Sequence, residues 1–293
     1  MEQDAKAWRT SPTRVGILIM LSLFLTLLNA VKPLAIDDSI YYRYANHIAA
    51  QPLDPYGFEY GGLRANGILC TPVFLYWFAA GIRLFGQEPI FWKLWLLPIS
   101  LLLVFGLHAL GRRFARGMEL PFVFFLVVSP AVLPCLNLML DIPALAVGLL
   151  ALMLFLRACE TRSLPLTLAA GIVAGLAAQT KYTAFVSVGA IFLYGLQTGQ
   201  WRRGAVVVCI AGLLFVGWEL LMLRLYGDSH FWLAYTTRPP NLKEKLRLVL
   251  PLAGYLGSMM AACLPLYLAA TGRSARLVWS SAALILAGFA AVA

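Results

Sequence analysis

Charge is what this chain lacks: only 12% of its 293 residues are Asp, Glu, Lys or Arg, while 61% are hydrophobic. So few charges cannot cover a water-facing surface, and the mean hydropathy of +0.80 excludes an ordinary soluble domain. Cysteine is scarce as well. Cys70, Cys135, Cys159, Cys209 and Cys263 show no CxxC spacing, which excludes a disulfide framework or a structural zinc site. The three histidines, His47, His108 and His230, are scattered without a ligand motif. No Gly-rich phosphate loop, Walker motif or GxSxG elbow occurs, so nucleotide hydrolysis and serine hydrolase chemistry have no support. Internal repeats and low-complexity tracts are absent too. The net charge of +10 could point to nucleic acid, but many of the cations flank apolar runs, where topology and lipid phosphate account for them.

What is present is apolar sequence on the scale of a bilayer, which takes about 20 residues per helical crossing. Runs large enough to cross lie near 15–34, 90–111, 119–136, 142–158, 164–180, 182–198, 203–225, 246–270 and 276–293. They are continuously apolar rather than alternating, so helices and not barrel strands are expected. The expected fold is an all-α polytopic membrane protein: a single transmembrane domain over 1–293, about nine crossings, with a large first outer loop. The first run reads as an uncleaved anchor, too long for a signal core and without a following A-x-A site.

Basic segments at Lys6 to Arg14, Arg112 to Arg116, Arg157 to Arg162, Trp201-Arg202-Arg203 and Arg273 to Arg276 all fall on one side if the first helix runs outward. That side is then the cytoplasm, as expected for a bacterial-type inner membrane protein. The scheme requires 67–85 to be an interfacial helix, consistent with Pro72 near its start and the amphipathic spacing of Tyr76, Trp77 and Arg83. The outer side carries loops at 36–88 and 226–245, together with more cations than the rule expects, among them Arg64, Lys93 and Lys181. A phosphate at the outer leaflet would account for them.

Four places hold residues fit for chemistry. Asp37 and Asp38 follow the first run directly, at a helix start that Asp38 or Ser39 can cap; simple capping plus an aromatic belt is the rival explanation. Asp141 precedes Pro143 and reads by itself as an N-cap, but topology puts it at the level of Asp37 and Asp38. Lys181 interrupts an apolar stretch on the outer side, where it can snorkel or meet phosphate. Glu219 lies inside an expected crossing, with Arg224 a turn away as its expected partner.

The arrangement resembles the membrane glycosyltransferases of the GT-C superfold, in particular the family 39-like group that includes protein O-mannosyltransferases and lipid A aminoarabinose transferases. Asp37-Asp38, followed by Tyr41 and Ala45, is similar to the acidic pair after the first helix of that group. Asp54-Pro55-Tyr56-Gly57-Phe58 and Thr71-Pro72 look like the rest of its loop. Leu140-Asp141-Ile142-Pro143 and Thr180-Lys181-Tyr182 look like its later Asp-Pro and Thr-Lys segments. Thr71 stands where members often carry lysine, and the chain is shorter than such enzymes commonly are, as expected of a truncated or minimal form.

The resemblance implies a GT-C-like bundle and inverting transfer of a sugar from a polyprenyl-phosphate donor to a lipid, protein or glycan acceptor on the non-cytoplasmic face. It implies Asp37 as base, Asp38 and Asp141 as orienting acids, Lys181 and Arg64 as phosphate contacts, and a divalent cation on Asp37 and Asp141 as a further option. Tyr41, Tyr42, Tyr56 and Tyr60 are candidates to stack on sugar. A transporter or lipid flippase and a non-catalytic assembly factor are the competing readings. No nucleic-acid partner is expected.

Overall fold

The computed structural model describes residues 11–237, apart from 35, 36, 69, 130, 131 and 134. The runs expected at 246–270 and 276–293 and the segment Arg273 to Arg276 lie outside the described residues, as does 238–245 of the second loop.

The first helix, α1 (Pro12–Ala30), begins where Ser11 accepts from the Arg14 N–H at 3.4 Å and Pro12 fixes the first turn. Its few buried hydroxyls are all satisfied, as a low-dielectric bundle demands. Ser22 donates to the Leu18 carbonyl at 2.8 Å, and Thr26 donates to the Ser100 hydroxyl at 2.8 Å, tying α1 to α5 (Leu97–Phe114). Between them come α2 (Asp37–Ala50), a hairpin of β1 (Glu59–Tyr60) and β2 (Leu63–Arg64), a 3-10 turn (Ala65–Gly67), α3 (Pro72–Phe85) and α4 (Pro89–Leu94). The hairpin turns through Gly61 and Gly62, whose φ values of 59° and 78° suit a two-residue primed turn. At 14 residues α3 is about 21 Å long, short of a crossing. It is amphipathic as expected, burying Phe74, Leu75, Phe78, Ala79 and Ile82.

The remaining elements are α6 (Glu119–Val127), α7 (Asp141–Thr161), α8 (Leu164–Ala178), a 3-10 turn (Tyr182–Ala184), α9 (Phe185–Gln197), α10 (Trp201–Tyr226) and α11 (His230–Thr237). Four segments are long and apolar enough to cross a membrane: α1, the pair α4–α5 over Pro89–Phe114, α7 and α10; α3, α8 and Tyr182–Gln197 are shorter apolar helices. The chain is an all-α polytopic membrane protein.

One expected run is corrected. The helix foreseen over 119–136 stops at Val127, and turns occupy the described part of 128–140. The sequence places Pro130 and Pro134 there, and each removes a backbone donor that a continuing helix would need.

Polar contacts separate the bundle into two ends. At one, Arg14 faces Glu119 at 3.8 Å, Arg113 binds Glu160 and the Tyr194 hydroxyl, and Arg203 donates to the Ala158 carbonyl at 3.1 Å. These contacts gather the starts of α1, α6 and α10 with the ends of α5, α7 and α9, the antiparallel order of successive crossings. Close approach of α8 to α10 depends on small residues. A Cβ on Gly171 would meet Ile210 Cβ at 2.9 Å, and one on Gly175 would meet Leu214 Cδ1 at 2.5 Å.

Candidate functional site

The opposite end of the bundle brings the acids together. Asp141 opens α7, where its charge meets the positive end of the helix, and Lys181 follows the end of α8. Lys181 Nζ donates to Asp141 Oδ1 at 2.6 Å, and about a third of each side chain stays in contact with solvent (32% and 38%).

Two bonds fix Lys181 against the first loop. Thr71 Oγ1 donates to the Thr180 carbonyl at 2.5 Å, and the Val73 N–H donates to the Gln179 carbonyl at 3.1 Å, so the start of α3 is stapled to the end of α8. Thr71, at the position where the resemblance leads to lysine, thus anchors the segment that carries Lys181.

Asp37 and Asp38 form the first turn of α2, a favourable place for negative charge. They differ in environment. Asp38 is 1% exposed and accepts from Asn137 Nδ2, and the buried Lys93 lies within reach of its charge. Asp37 remains partly open.

Tyr41 is acted on by both Asp37 and Asp141, and Cys70 by both Asp37 and Lys181. Burial, and after it the neighbouring Cys70, Asp37, Asp141 and Asp38, push the Tyr41 hydroxyl well above the usual phenol range. Burial and the charge of Asp37 push the Cys70 thiol up to about 12, against the opposing effects of a Tyr44 hydrogen bond and Lys181. Tyr41 and Cys70 thus connect Asp37 electrostatically to the Lys181–Asp141 pair, while Asp38 is buried.

The structure disposes of the other expected residues differently. Tyr56 is 2% exposed and donates its hydroxyl to the Cys70 carbonyl at 2.6 Å, so its ring is packed beneath the site. Tyr42 stacks on Trp92 with centroids 4.6 Å apart. Arg64 sits on the hairpin, paired with Asp228 at 3.3 Å. Among the described residues no three His, Cys, Asp or Glu side chains are grouped to hold a metal ion, and Asp141 already has an ammonium on its carboxylate.

Glu219 is corrected as well: its partners lie elsewhere than Arg224. Tyr182 donates to its Oε1 at 2.7 Å, while the Ser229 hydroxyl at 2.6 Å and the Phe231 N–H at 2.9 Å donate to its Oε2. The carboxylate thereby caps α11. His230 bonds the Ile68 carbonyl at 3.0 Å and lies 3.4 Å from the Tyr182 hydroxyl, so α11 grips the strand of chain that leads to Cys70. Sequence reasoning missed Asn137, Cys70, Tyr182 and Ser229. Only Ser229, after Gly227 and Asp228, carried a capping signal.

With this geometry in view, a family model described as dolichyl-phosphate-mannose-protein mannosyltransferase matches residues 70–225, more than half of the chain. The chain belongs to that family. It is a membrane glycosyltransferase of the GT-C type. No curated protein and no solved structure matches it significantly. The match to the mannosyltransferase family takes in Cys70, Asp141, Lys181 and Glu219, while Asp37, Asp38, Tyr41, Tyr56 and Arg64 precede it.

Proposed function

We propose that the chain moves a sugar, with inversion, from a polyprenyl-phosphate donor to an acceptor hydroxyl on the non-cytoplasmic face of the membrane. The observation that carries this reading is the Lys181–Asp141 contact at 2.6 Å, at the end of the bundle opposite the Arg14–Glu119 and Arg113–Glu160 pairs, with a partly open Asp37 whose charge, like that of Asp141, acts on Tyr41. A cation tethered to a carboxylate next to a second carboxylate can serve a reaction that makes an anion and releases a proton.

In this reading Asp37 takes the proton of the acceptor hydroxyl as its oxygen attacks the anomeric carbon, and the bond from that carbon to the phosphate oxygen breaks. The lipid phosphate leaves as a stable anion and needs no strong acid. Lys181 meets its charge, exchanging Asp141 for the phosphate. Asp38, held by Asn137 and close to Lys93, fixes the turn that aims Asp37. No step is routed through a metal, and Arg64 takes no part.

A groove between α7 and α9, of about 270 Å³, supports the lipid assignment. It starts at Asp141 and continues along Ala144, Leu145, Leu149, Val186 and Ala190. A prenyl chain lying there would bring its phosphate to the ion pair. The arginine-rich end then faces the cytoplasm of a bacterial-type inner membrane, and the N-terminus with it.

Asp37→Asn tests the proposal with labelled polyprenyl-phosphate mannose and purified full-length protein. Transfer is expected to fall by at least about 10²-fold, with donor binding and thermal unfolding unchanged. Transfer at the wild-type rate would remove Asp37 from the mechanism.

A further inference from the structure

A cavity of about 540 Å³ lies at the end of the bundle where Arg113 binds Glu160, between the starts of α8 and α10. Leu164, Gly199, Trp201, Arg202, Arg203 and Val206 are among its walls. With 15 residues α8 is about 22 Å long, which separates the cavity from Lys181 at the other end of that helix.

Both arginines keep their charge available. Arg203 is half-buried, and its Nη1 donates to the Ala158 carbonyl at 3.1 Å, the Ser163 carbonyl at 3.3 Å and the Thr167 hydroxyl at 3.4 Å. These acceptors are neutral, so they orient the guanidinium on the cavity wall and leave its charge uncancelled. Arg202 is exposed, with its guanidinium carbon 5.5 Å from the centroid of the Trp201 ring. Among the described residues no carboxylate forms an ion pair with either arginine, and Glu160, at the end of α7, is taken by Arg113 and Arg157.

The other walls are apolar and reach the surface of the bundle. Leu164 and Trp201 are 60% and 51% exposed. Exposed Leu168 and Ile172 follow Leu164 one helical turn after another, so an apolar stripe runs from the cavity along α8.

Two guanidiniums at the head of an apolar stripe match an amphiphile with an anionic headgroup. The oxygens of a phosphate suit the guanidinium fork, and basic pockets between membrane helices hold acidic headgroups in this way. A free phosphate would leave Trp201 and the stripe uncovered, and a headgroup with its own ammonium would set a cation against both arginines. We infer that this cavity holds the phosphodiester headgroup of an acidic phospholipid of the phosphatidylglycerol type, with an acyl chain along Leu164, Leu168 and Ile172. In the proposed orientation this lipid belongs to the cytoplasmic leaflet, apart from the groove that starts at Asp141.

Native mass spectrometry tests it on the full chain, released from nanodiscs of equal phosphatidylglycerol and phosphatidylcholine. One phosphatidylglycerol is expected to stay bound at least about ten times more often than phosphatidylcholine. Arg202→Gln removes an exposed charge, so it should lower that retention about tenfold at an unchanged unfolding temperature. Val206→Trp, which narrows the cavity and alters no charge, should lower it as well. Arg116→Gln makes the same charge change at the same end but outside the cavity, and should leave retention intact. Equal retention of the two lipids overturns the inference, as does wild-type retention in Arg202→Gln or an equal loss in Arg116→Gln. Displacement of the lipid by excess inorganic phosphate would make this a site for a free anion and overturn the lipid assignment. Asp37→Asn should retain the lipid, so this site and the glycosyl-transfer reading stand or fall separately.

Discussion

Lys181 is held before any substrate arrives, because its ammonium lies 2.6 Å from Asp141 on the partly solvated face of the bundle. An exposed pair of this kind contributes little to folding, commonly 0–1 kcal/mol, so its removal should be read in function rather than stability. Lys181→Met is expected to raise the donor KM about tenfold or more with a small change in thermal unfolding, while Lys181→Arg retains part of the affinity; initial rates against donor concentration decide it. Tyr41 offers a pH test with a definite sign. Its hydroxyl titrates well above the usual phenol range, so the neutral form persists across the working range. Tyr41→Phe should therefore leave the shape of the kcat/KM profile between about pH 6 and 9 unchanged, whatever it does to the amplitude. A new or missing limb would show that Tyr41 ionises in the reaction.

At the scale of elements, α11 depends on one carboxylate. Glu219 accepts from Tyr182, Ser229 and the Phe231 N–H, joining α10, the turn after α8 and the start of α11. Hydrogen bonds to a charged group contribute about 1.5–3 kcal/mol each. Glu219→Ala is expected to release α11, seen as faster amide exchange over 230–237 with little change in α1 or α7; protection equal to wild type would deny the clasp. This network also shows what the sequence could and could not convey. The starts of α2 and α3 were legible, because acids suit the first turn of a helix and Pro72 its first position. The level of Asp141 and Lys181 followed from the spacing of apolar runs. The partners of Glu219 did not, since Tyr182 is 37 residues away and Ser229 ten, and helical spacing favoured Arg224 instead. The end of α6 at Val127 was hidden by an apolar composition that continues beyond it, and the burial of Tyr56 by its place in a loop.

Among the described residues, the pairs Arg14–Glu119 and Arg113–Glu160 lie at one end of the bundle, and Asp37, Asp38, Asp141 and Lys181 at the other. That division makes the orientation measurable. A cysteine placed at Glu59 is expected to react with a membrane-impermeant maleimide on intact spheroplasts, and one placed at Arg116 only after permeabilisation. The reverse pattern would turn the protein over and remove the proposed reaction from the outer face.

The tethered Asp141 also bears on how a catalytic cycle would close. A spent carrier lipid holding on to Lys181 contends with a carboxylate that is always present at high local concentration, so the site favours eviction over retention. A tighter grip on phosphate would have slowed turnover. In the proposed reaction, the same contact that neutralises the empty site becomes the means by which it is vacated.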